Sequence, residues 1–331
     1  MMCLAKLRVS LMLDKMTNIS FFTGKGGSGK TTCSAAYAVR LADKGHKVLI
    51  ASLDPAHNLG DVFQARLSNS PRKIADNLYT MEVDMEKTIR KYLKNTANGL
   101  KSMYRYLTTF NLEGYLDTIR LSPGIEEYAT LDAIRDILAS RRGYDSIIFD
   151  TAPTGLTLKV LALPTVSLIW IDRLIELREK ILDKRLAIKK IQGEKTFVIG
   201  GEKMKLKTRA DEDDVLRELV KYRSEIGEVK ETLSNDDITN LVIVMNPDEL
   251  SLYETERAVK VINKLEIPIK MVIINKVMKD EKMWKARLDL QEKIVAKAKE
   301  EFRGKVLREV PMEAIEPRGI ETLRDFSRYI F

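Results

Sequence analysis

The segment 24–31 reads GKGGSGKT, with the spacing of glycine, lysine and hydroxyl residues that is typical of a phosphate-binding loop. Its glycines allow backbone N–H groups to approach phosphate oxygens at the positive end of a helix. We expect Lys30 to reach the β- and γ-phosphates of a nucleotide and the Thr31 hydroxyl to ligate Mg²⁺. The residues predicted to bind the phosphates are Gly24, Lys25, Gly26, Gly27, Ser28, Gly29, Lys30, Thr31 and Thr32.

Two carboxylates follow strand-like segments and could complete a hydrolytic site. Asp54 follows an apolar run, and an acidic side chain beside a γ-phosphate can orient and polarise the attacking water. Asp150 ends the run SIIFD, an arrangement in which a carboxylate holds Mg²⁺, usually through water.

Apolar runs that could position these residues alternate with helical patterns. Strands are predicted at 18–23, 47–53, 78–83, 146–149, 241–245, 271–274 and 306–310, and the first helix at 31–43. A strand, a glycine-rich turn, a helix and a second strand form a βαβ unit, which makes a parallel sheet with a right-handed crossover. We therefore predict an α/β fold with a doubly wound, mainly parallel sheet whose ligand lies at the carboxyl ends of the strands.

Two regions, about 86–121 and 166–235, show helical spacing of apolar residues and no obvious strand. The segment 192–214 inside the second region is rich in glycine and lysine and then acidic, which indicates a mobile loop. We expect one nucleotide-binding domain over 1–331, with a helical subdomain inserted at about 86–135 and 165–236. The apolar positions of that subdomain include Leu100, Met103, Tyr104, Leu107, Ile171, Leu174, Ile175, Ile181 and Leu182.

Composition narrows the class of protein further. The 331 residues carry 56 Lys and Arg against 48 Asp and Glu, and the interspersed charges favour a solvated surface over nucleic-acid binding. Cysteines at positions 3 and 33 favour a reducing compartment and leave little for a thiolate metal site. The most apolar stretch, 156–171, is shorter than the roughly 20 residues of a membrane span. We expect a cytoplasmic protein, and we interpret 1–15 as an extension or a mis-assigned start.

The spelling KGGxGKT resembles the deviant Walker A motif of dimeric P-loop ATPases, which include nitrogenase iron protein and the partition and division-site ATPases. The segment 54–61, DPAHNLGD, is similar to a switch of the arsenite-pump and tail-anchored-protein-targeting ATPases, which implies that His57 is a switch residue and Asp61 a cap or switch contact, and neither a second base. Segment 151–158, TAPTGLTL, resembles their second switch, with Leu156 where the family usually has histidine, and implies that a backbone N–H near Gly155 senses the γ-phosphate. The resemblance implies Mg²⁺-dependent hydrolysis of ATP to ADP and phosphate in a homodimer. It also implies that Lys25 acts across the dimer interface as a catalytic charge stabiliser beside Lys30.

Similarities late in the chain concern the nucleotide base. The segment 246–257 resembles the family's LSLYETER region, which puts Asp248 at an acidic position that approaches nucleotide. Asn275 corresponds to the asparagine that reads adenine, since an amide can donate and accept hydrogen bonds at once. The segment 311–318 resembles the loop that closes over the base, where the implied contacts are Pro311, Met312 and Arg318.

The two branches of the family differ in what they bind. Arsenite-pump ATPases use cysteine thiolates, which this chain hardly offers, whereas the targeting branch binds a hydrophobic tail anchor in a helical groove. Many targeting ATPases share a zinc ion through a CxxC motif, but alignment puts Glu281 and Trp284 at those positions, so no zinc is predicted. We expect a targeting factor or chaperone for tail-anchored membrane proteins, with a membrane receptor and no nucleic-acid partner.

Other functional classes stay open. The first alternative is an ATPase that drives an arsenite or anion pump, and the second is a partition or division-site positioning ATPase. Such a positioning ATPase would bind DNA or lipid, yet the end of the sequence, FSRYIF, is not a clear basic amphipathic anchor. A further alternative is an ATP-independent chaperone, whose activity would persist in Lys30 variants.

Overall fold

The computed structural model describes residues 17–56, 58–103, 119–120, 122–193, 196–199, 202–205, 207–278 and 285–331. Side chains are described for these residues except at 100–103, 142, 196–199 and 202–205. Several predictions lie outside the described part of the chain: those for 1–15, His57, Tyr104, Leu107, Glu281 and Trp284, and for the side chains of Leu100 and Met103.

The described chain contains ten strands in two sheets. They are β1 (Asn18–Thr23), β2 (Val48–Ser52), β3 (Arg72–Ala75), β4 (Leu78–Glu82), β5 (Ser146–Asp150), β6 (Thr196–Ile199), β7 (Glu202–Lys205), β8 (Thr239–Met245), β9 (Ile269–Val277) and β10 (Val306–Pro311). The main sheet has the order β10-β9-β8-β1-β5-β2-β4-β3, and every pairing in it is parallel except β3 with β4. This arrangement confirms the predicted doubly wound, mainly parallel sheet.

Helices connect and flank these strands. Within the described residues they are α1 (Lys30–Asp43), α2 (Asn58–Phe63), α3 (Met85–Met103), α4 (Ile125–Ala139), α5 (Thr154–Gln192), α6 (Asp214–Ser234), α7 (Glu249–Lys264), α8 (Lys285–Glu301) and α9 (Ile320–Ser327). Because β1 leads into α1 and β5 into α5, the turns that follow these two central strands meet at the carboxyl edge of the sheet.

The described residues form two compact units. The first contains the main sheet and comprises the chain up to Asp84 together with Ala133–Lys159 and Thr232–Phe331. The second comprises Met85–Asp132 and Val160–Glu231. Its helical segments are α3, part of α4 and most of α5 and α6.

The segment 192–214 is more regular than the loop predicted for it. Strands β6 and β7 pair in antiparallel register, from Thr196 opposite Lys205 to Ile199 opposite Glu202, and a short 3-10 turn follows at Ala210–Glu212. The run TFVI is rich in β-prone residues, which favours a strand. The prediction gave too much weight to the glycine and lysine content of this segment and too little to these four residues.

Small buried residues fit α1 closely against the sheet. Ala35, Ala36 and Ala38 are fully buried, and their short side chains let the helix axis approach the strands. The end of the chain packs against the same helix, where Arg324 of α9 donates two hydrogen bonds to the Asp43 carboxylate at 2.7 and 3.1 Å. The helix that follows the phosphate-binding loop is therefore held from both sides.

One described helix, α5, is long and apolar enough to cross a membrane by length and composition alone. Its most apolar window has a mean hydropathy of 1.6, and 39% of that window is buried. The core helix of a soluble protein can meet the same criterion, so a single helix of this kind is weak evidence for a membrane span.

Candidate functional site

The phosphate-binding loop joins β1 to α1 and depends on glycine at two tightly packed positions. A Cβ on Gly29 would lie 2.2 Å from Nδ2 of Asn275, and Gly29 also has a φ of +90°, a left-handed conformation. A Cβ on Gly24 would lie 2.0 Å from the carbonyl oxygen of Val244. Both contacts are far below van der Waals distance, so larger residues would displace the loop from the neighbouring strand ends.

A cavity of about 610 Å³ lies in front of the loop, within the unit that holds the main sheet. Such a volume is in the range of ligand pockets in proteins. Eleven of the predicted site residues lie in its wall: Gly26, Gly27, Gly29, Lys30, Thr31, Thr32, Asp54, Asn275, Pro311, Met312 and Arg318. The other predicted site residues, which are not in its described wall, are Gly24, Lys25, Ser28, Asp150, Gly155 and Asp248.

Lys30 lies almost completely buried at the base of the cavity, with 6% of its surface exposed. Its ammonium Nζ donates a 3.4 Å hydrogen bond to the carbonyl oxygen of Lys25, inside the loop itself. The contact is long and involves a neutral acceptor, so a phosphate oxygen would be the stronger partner for this cation. The position fits the predicted role of Lys30 at the β- and γ-phosphates.

Asp150 is a buried carboxylate, and on neither oxygen does a described donor reach full hydrogen-bond geometry, although the Thr31 and Ser34 hydroxyls are near enough to interact with it. Burial raises the pKa of Asp150 from its usual 3.8 to about 7, and the Asp54 carboxylate adds to the rise. The Thr31 and Ser34 hydroxyls and the Lys30 ammonium counter part of the pKa shift. A divalent cation supplies the positive charge that this oxygen pair needs, so Asp150 and Thr31 fit the predicted Mg²⁺ site.

Asp54 lies in the cavity wall, two residues after the end of β2 and directly before a turn. Its Oδ1 accepts a 3.0 Å hydrogen bond from the backbone N–H of Ala56, which closes a local Asx turn. Asp54, Lys30 and Thr31 line the same cavity, so the Asp54 carboxylate faces the space predicted to hold the phosphates. The geometry suits a side chain that orients water.

Asn275 closes the opposite side of the loop. It is 4% exposed, and its Nδ2 donates a 2.8 Å hydrogen bond to the carbonyl oxygen of Ser28. Its carbonyl oxygen is thereby left as the group that could accept a hydrogen bond from the amino group of adenine. Asn275 therefore joins the predicted base site to the phosphate-binding loop.

Two predicted residues have positions that sequence reasoning did not specify. The Asp248 carboxylate accepts a 2.8 Å hydrogen bond from the backbone N–H of Ser251 and is the N-cap of α7. Gly155 lies in the first turn of α5, where a backbone N–H has no acceptor within the helix. That N–H is suited to an anion, as the prediction requires, whereas Asp248 has a structural role in the described contacts.

Comparison with known proteins assigns the family. Residues 17–331 match the family described as "Anion-transporting ATPase". The chain belongs to this family. It is 30% identical to "Putative arsenical pump-driving ATPase 2" of Aquifex aeolicus, over 94% of this chain and 98% of that protein. It is 32% identical to "ATPase get3" of Schizosaccharomyces pombe, over 94% of this chain and 90% of that protein. It is also 32% identical to "ATPase GET3A" of Arabidopsis thaliana, over 93% of this chain and 82% of that protein.

Membership of the anion-transporting ATPase family confirms the resemblance stated from the motifs and makes the chain an ATPase. The relatives divide between arsenical pump ATPases and Get3 proteins at about the same identity, so identity alone does not choose between these roles. ATP and Mg²⁺ are the ligands that membership implies. The residues of the cavity fit both, because the glycine-rich loop lines it and the buried Asp150 carboxylate interacts with Thr31 and Lys30 in its wall.

Cys33 bears on which anion this ATPase could bind. It is fully buried in α1, and burial together with the nearby Asp150 charge raises the pKa of its thiol to about 12. A thiol with this pKa is almost entirely protonated near neutral pH and is a poor metalloid ligand. In the part of the chain that the structure describes, moreover, no three His, Cys, Asp or Glu side chains converge on a common metal position.

We predict that Asp150→Asn raises the melting temperature of the nucleotide-free protein at pH 8. The raised pKa means that ionised Asp150 destabilises the folded state. This destabilisation grows as the pH rises above about 3.8, the pKa of the carboxyl in the unfolded chain. It is complete above about 7, the pKa of Asp150 in the folded protein. A neutral amide of the same shape removes it. Thermal melts at pH 8 and pH 5 measure the effect, which should be larger at pH 8.

The same variant should hydrolyse ATP poorly and need more Mg²⁺ for half its maximal rate, because an amide is a weaker ligand for a hard cation. An equal gain in melting temperature at both pH values would show that the carboxylate is not strained by ionisation. Unchanged Mg²⁺ dependence would show that Asp150 does not hold the metal.

Proposed function

We propose that this ATPase is a homodimeric targeting factor that captures and releases hydrophobic transmembrane segments of tail-anchored membrane proteins. ATP binding and hydrolysis at the site described above would switch the dimer between capturing and releasing states. The proposal places the protein in the cytoplasm, with a membrane receptor that takes over the segment. The observation that carries it is an exposed apolar face on α5.

The apolar face lies on the part of α5 that belongs to the second unit. Trp170 is 66% exposed and Ile169 is 62% exposed, which is unusual for side chains of this size. Exposed apolar clusters of this kind mark sites that bind other apolar surfaces. The members of the apolar face are Val166, Ile169, Trp170, Leu174, Leu177 and Ile188.

The opposite side of α5 is core. Ile171 and Leu182 of the predicted apolar positions could have supplied a groove or belonged to the helix core, and they are buried at 7% and 3% exposure, which places both in the core. Ile175 and Ile181 are half-buried, whereas Leu174 is 45% exposed. The sequence pattern located the helix but could not separate its packed side from its free side, since both carry apolar residues.

The spacing of the apolar face supports an apolar helix as its occupant. Five of its six members lie between Val166 and Leu177, where a helix rises about 17 Å at 1.5 Å per residue. The face of one chain therefore covers about half of the roughly 30 Å thickness of the hydrocarbon core that a transmembrane helix must match. Recognition of apolar side chains along such a length needs no reactive group, and it tolerates different sequences of the bound helix.

Charge replacement on this face should abolish capture and spare the nucleotide site. We expect Trp170→Asp to lower binding of a 20-residue leucine- and alanine-rich transmembrane peptide at least about tenfold, because desolvation of an aspartate opposes apolar burial. Basal ATPase activity should stay within about twofold, since Trp170 lies outside the unit that holds the site. Binding of the labelled peptide to full-length protein with ATP and Mg²⁺ measures the effect.

Val261→Asp is the matched control, because Val261 is a 40% exposed apolar residue on α7 in the other unit. It should leave peptide binding unchanged. Equal losses in both variants, or no loss in Trp170→Asp, would remove the α5 face from client capture. Self-association through this face would appear instead as a change of oligomeric state without a change in peptide binding.

An ATPase that drives an arsenite pump is the second candidate, because a relative at 30% identity carries that name. Its specific expectation is that arsenite stimulates ATP hydrolysis. The buried, protonated thiol of Cys33 is unfavourable for such stimulation. Measuring the ATPase rate with and without arsenite separates the two candidates directly.

A further inference from the structure

An extra residue interrupts β9 where it passes the phosphate-binding loop. Along β9 and β10, Ile274 pairs with Glu309, and the next pair is Val277 with Pro311. Three steps on β9 therefore correspond to two steps on β10, which is the signature of a β-bulge. The bulge coincides with Lys276, a non-glycine residue whose φ is +59°, in the left-handed region.

The bulge brings two consecutive side chains to the same loop. Successive residues of a regular strand point to opposite faces, so Asn275 and Lys276 would ordinarily diverge. Instead, Lys276 Nζ donates a 2.8 Å hydrogen bond to the carbonyl oxygen of Gly27, and Asn275 Nδ2 donates one of 2.8 Å to that of Ser28. Both residues also lie in the wall of the cavity.

These two contacts fix the direction of the loop's peptide groups. Because a trans peptide holds its C=O and N–H in opposite directions, anchoring the Ser28 carbonyl on β9 points the N–H of Gly29 the other way. The Gly27 carbonyl, held by the Lys276 ammonium, is likewise kept from turning its negative end towards a bound phosphate. Loss of either contact would let the loop sample conformations that repel an anion.

We propose that Lys276 is a positioning residue for nucleotide binding, which holds the phosphate-binding loop in its anion-accepting form and ties it to the base-reading Asn275. Lys276 is not among the residues predicted from the sequence, because nothing in the motif GKGGSGKT indicates a partner on a distant strand. Contact at the base and contact at the phosphates are thereby linked through two adjacent residues. This role rests on the ATPase activity of the family and is independent of client capture.

The test compares Lys276→Met with Lys276→Arg in the full-length protein. We expect Lys276→Met to raise KM for ATP and Kd for ADP about five- to tenfold, the size expected for a lost charged hydrogen bond at an exposed position, with kcat within about twofold. Arginine can donate to the same carbonyl and should restore both constants to within about twofold. Lys270→Met removes a charge from the same strand outside the cavity wall and should change neither constant.

A double-mutant cycle with Asn275→Ala tests the link between base and phosphates. If the two residues hold the loop as a unit, the fold increase in Kd for ADP in the double variant should be smaller than the product of the two single-variant fold increases. Unchanged KM in Lys276→Met, failure of arginine to restore it, or strictly multiplicative effects in the cycle would overturn the proposal. Thermal melts identify a variant that simply folds poorly. Peptide binding by Lys276→Arg is measured separately, so a failure of client capture is not mistaken for a failure of this proposal.

Discussion

Replacing Asp54 with asparagine is expected to lower kcat for ATP hydrolysis at least about 100-fold, the range typical for loss of a group that activates water. Affinity for ATP should stay within about threefold, because the role proposed for Asp54 is to act on the attacking water and not on the bound nucleotide. Single-turnover hydrolysis and binding of a fluorescent ATP analogue measure the two quantities separately.

The structure explains why this substitution isolates charge from shape. Oδ1 of Asp54 accepts from the N–H of Ala56 at 3.0 Å, and the amide oxygen of asparagine can accept the same hydrogen bond. The turn should therefore persist while the negative charge beside the γ-phosphate is lost. Loss of that charge should also lower the raised pKa of Asp150, to which Asp54 contributes.

Asp61→Asn provides a matched control for Asp54→Asn. Asp61 also lies in the cavity wall and carries the same charge, but it belongs to α2 and is interpreted as a cap or switch contact. The Asp61→Asn substitution should lower kcat less than about tenfold. Turnover of Asp54→Asn near that of the unmodified protein, or an equal loss in Asp61→Asn, would remove Asp54 from water activation.

Replacing Lys25 with alanine is expected to lower kcat at least about 100-fold as well, by analogy with the arginine fingers that stabilise charge in phosphoryl transfer. Lys25 lies in the phosphate-binding loop, yet it is not in the cavity wall, and its ammonium has no partner in the described part of its own chain. A cation in this position is available to a second copy.

ATP affinity should change little in Lys25→Ala, because Lys30 and the loop backbone make the contacts expected within one chain. Lys264→Ala is the control, because it removes an exposed lysine at the end of α7 that is not part of the phosphate-binding loop. It should leave kcat unchanged. A rate in Lys25→Ala that equals the rate of this control would contradict a catalytic role for Lys25.

The parts of the fold that were predictable are those with strong local signals. Strand β1 has the predicted bounds of 18–23, and α1 begins one residue before its predicted start, because a continuous apolar run and a glycine-rich turn define them. The buried strands at the centre of a parallel sheet carry almost only apolar residues, so they were found as well. These elements position Lys30, Thr31 and Asp150.

The parts that were not predictable depend on contacts distant in sequence. Strand β3 has four residues, begins with Arg72 and Lys73, and lies at the sheet edge, where little apolar periodicity is needed. The left-handed backbone of Lys276 follows from the pairing of β9 with β10, which single residues do not reveal. The N-cap role of Asp248 was not predicted, because the family resemblance implied only a contact with nucleotide at this position.

The most direct test of catalysis at a site shared by two copies is the ATPase rate of Lys25→Ala mixed with Asp54→Asn. In a mixed dimer, the site of the Lys25→Ala chain keeps its own Asp54 and receives Lys25 from its partner. Random pairing makes half of the dimers mixed with one complete site each, so we predict about a quarter of the wild-type rate. If Lys25 acts within its own chain, neither site is complete, and the mixture will be as inactive as each variant alone.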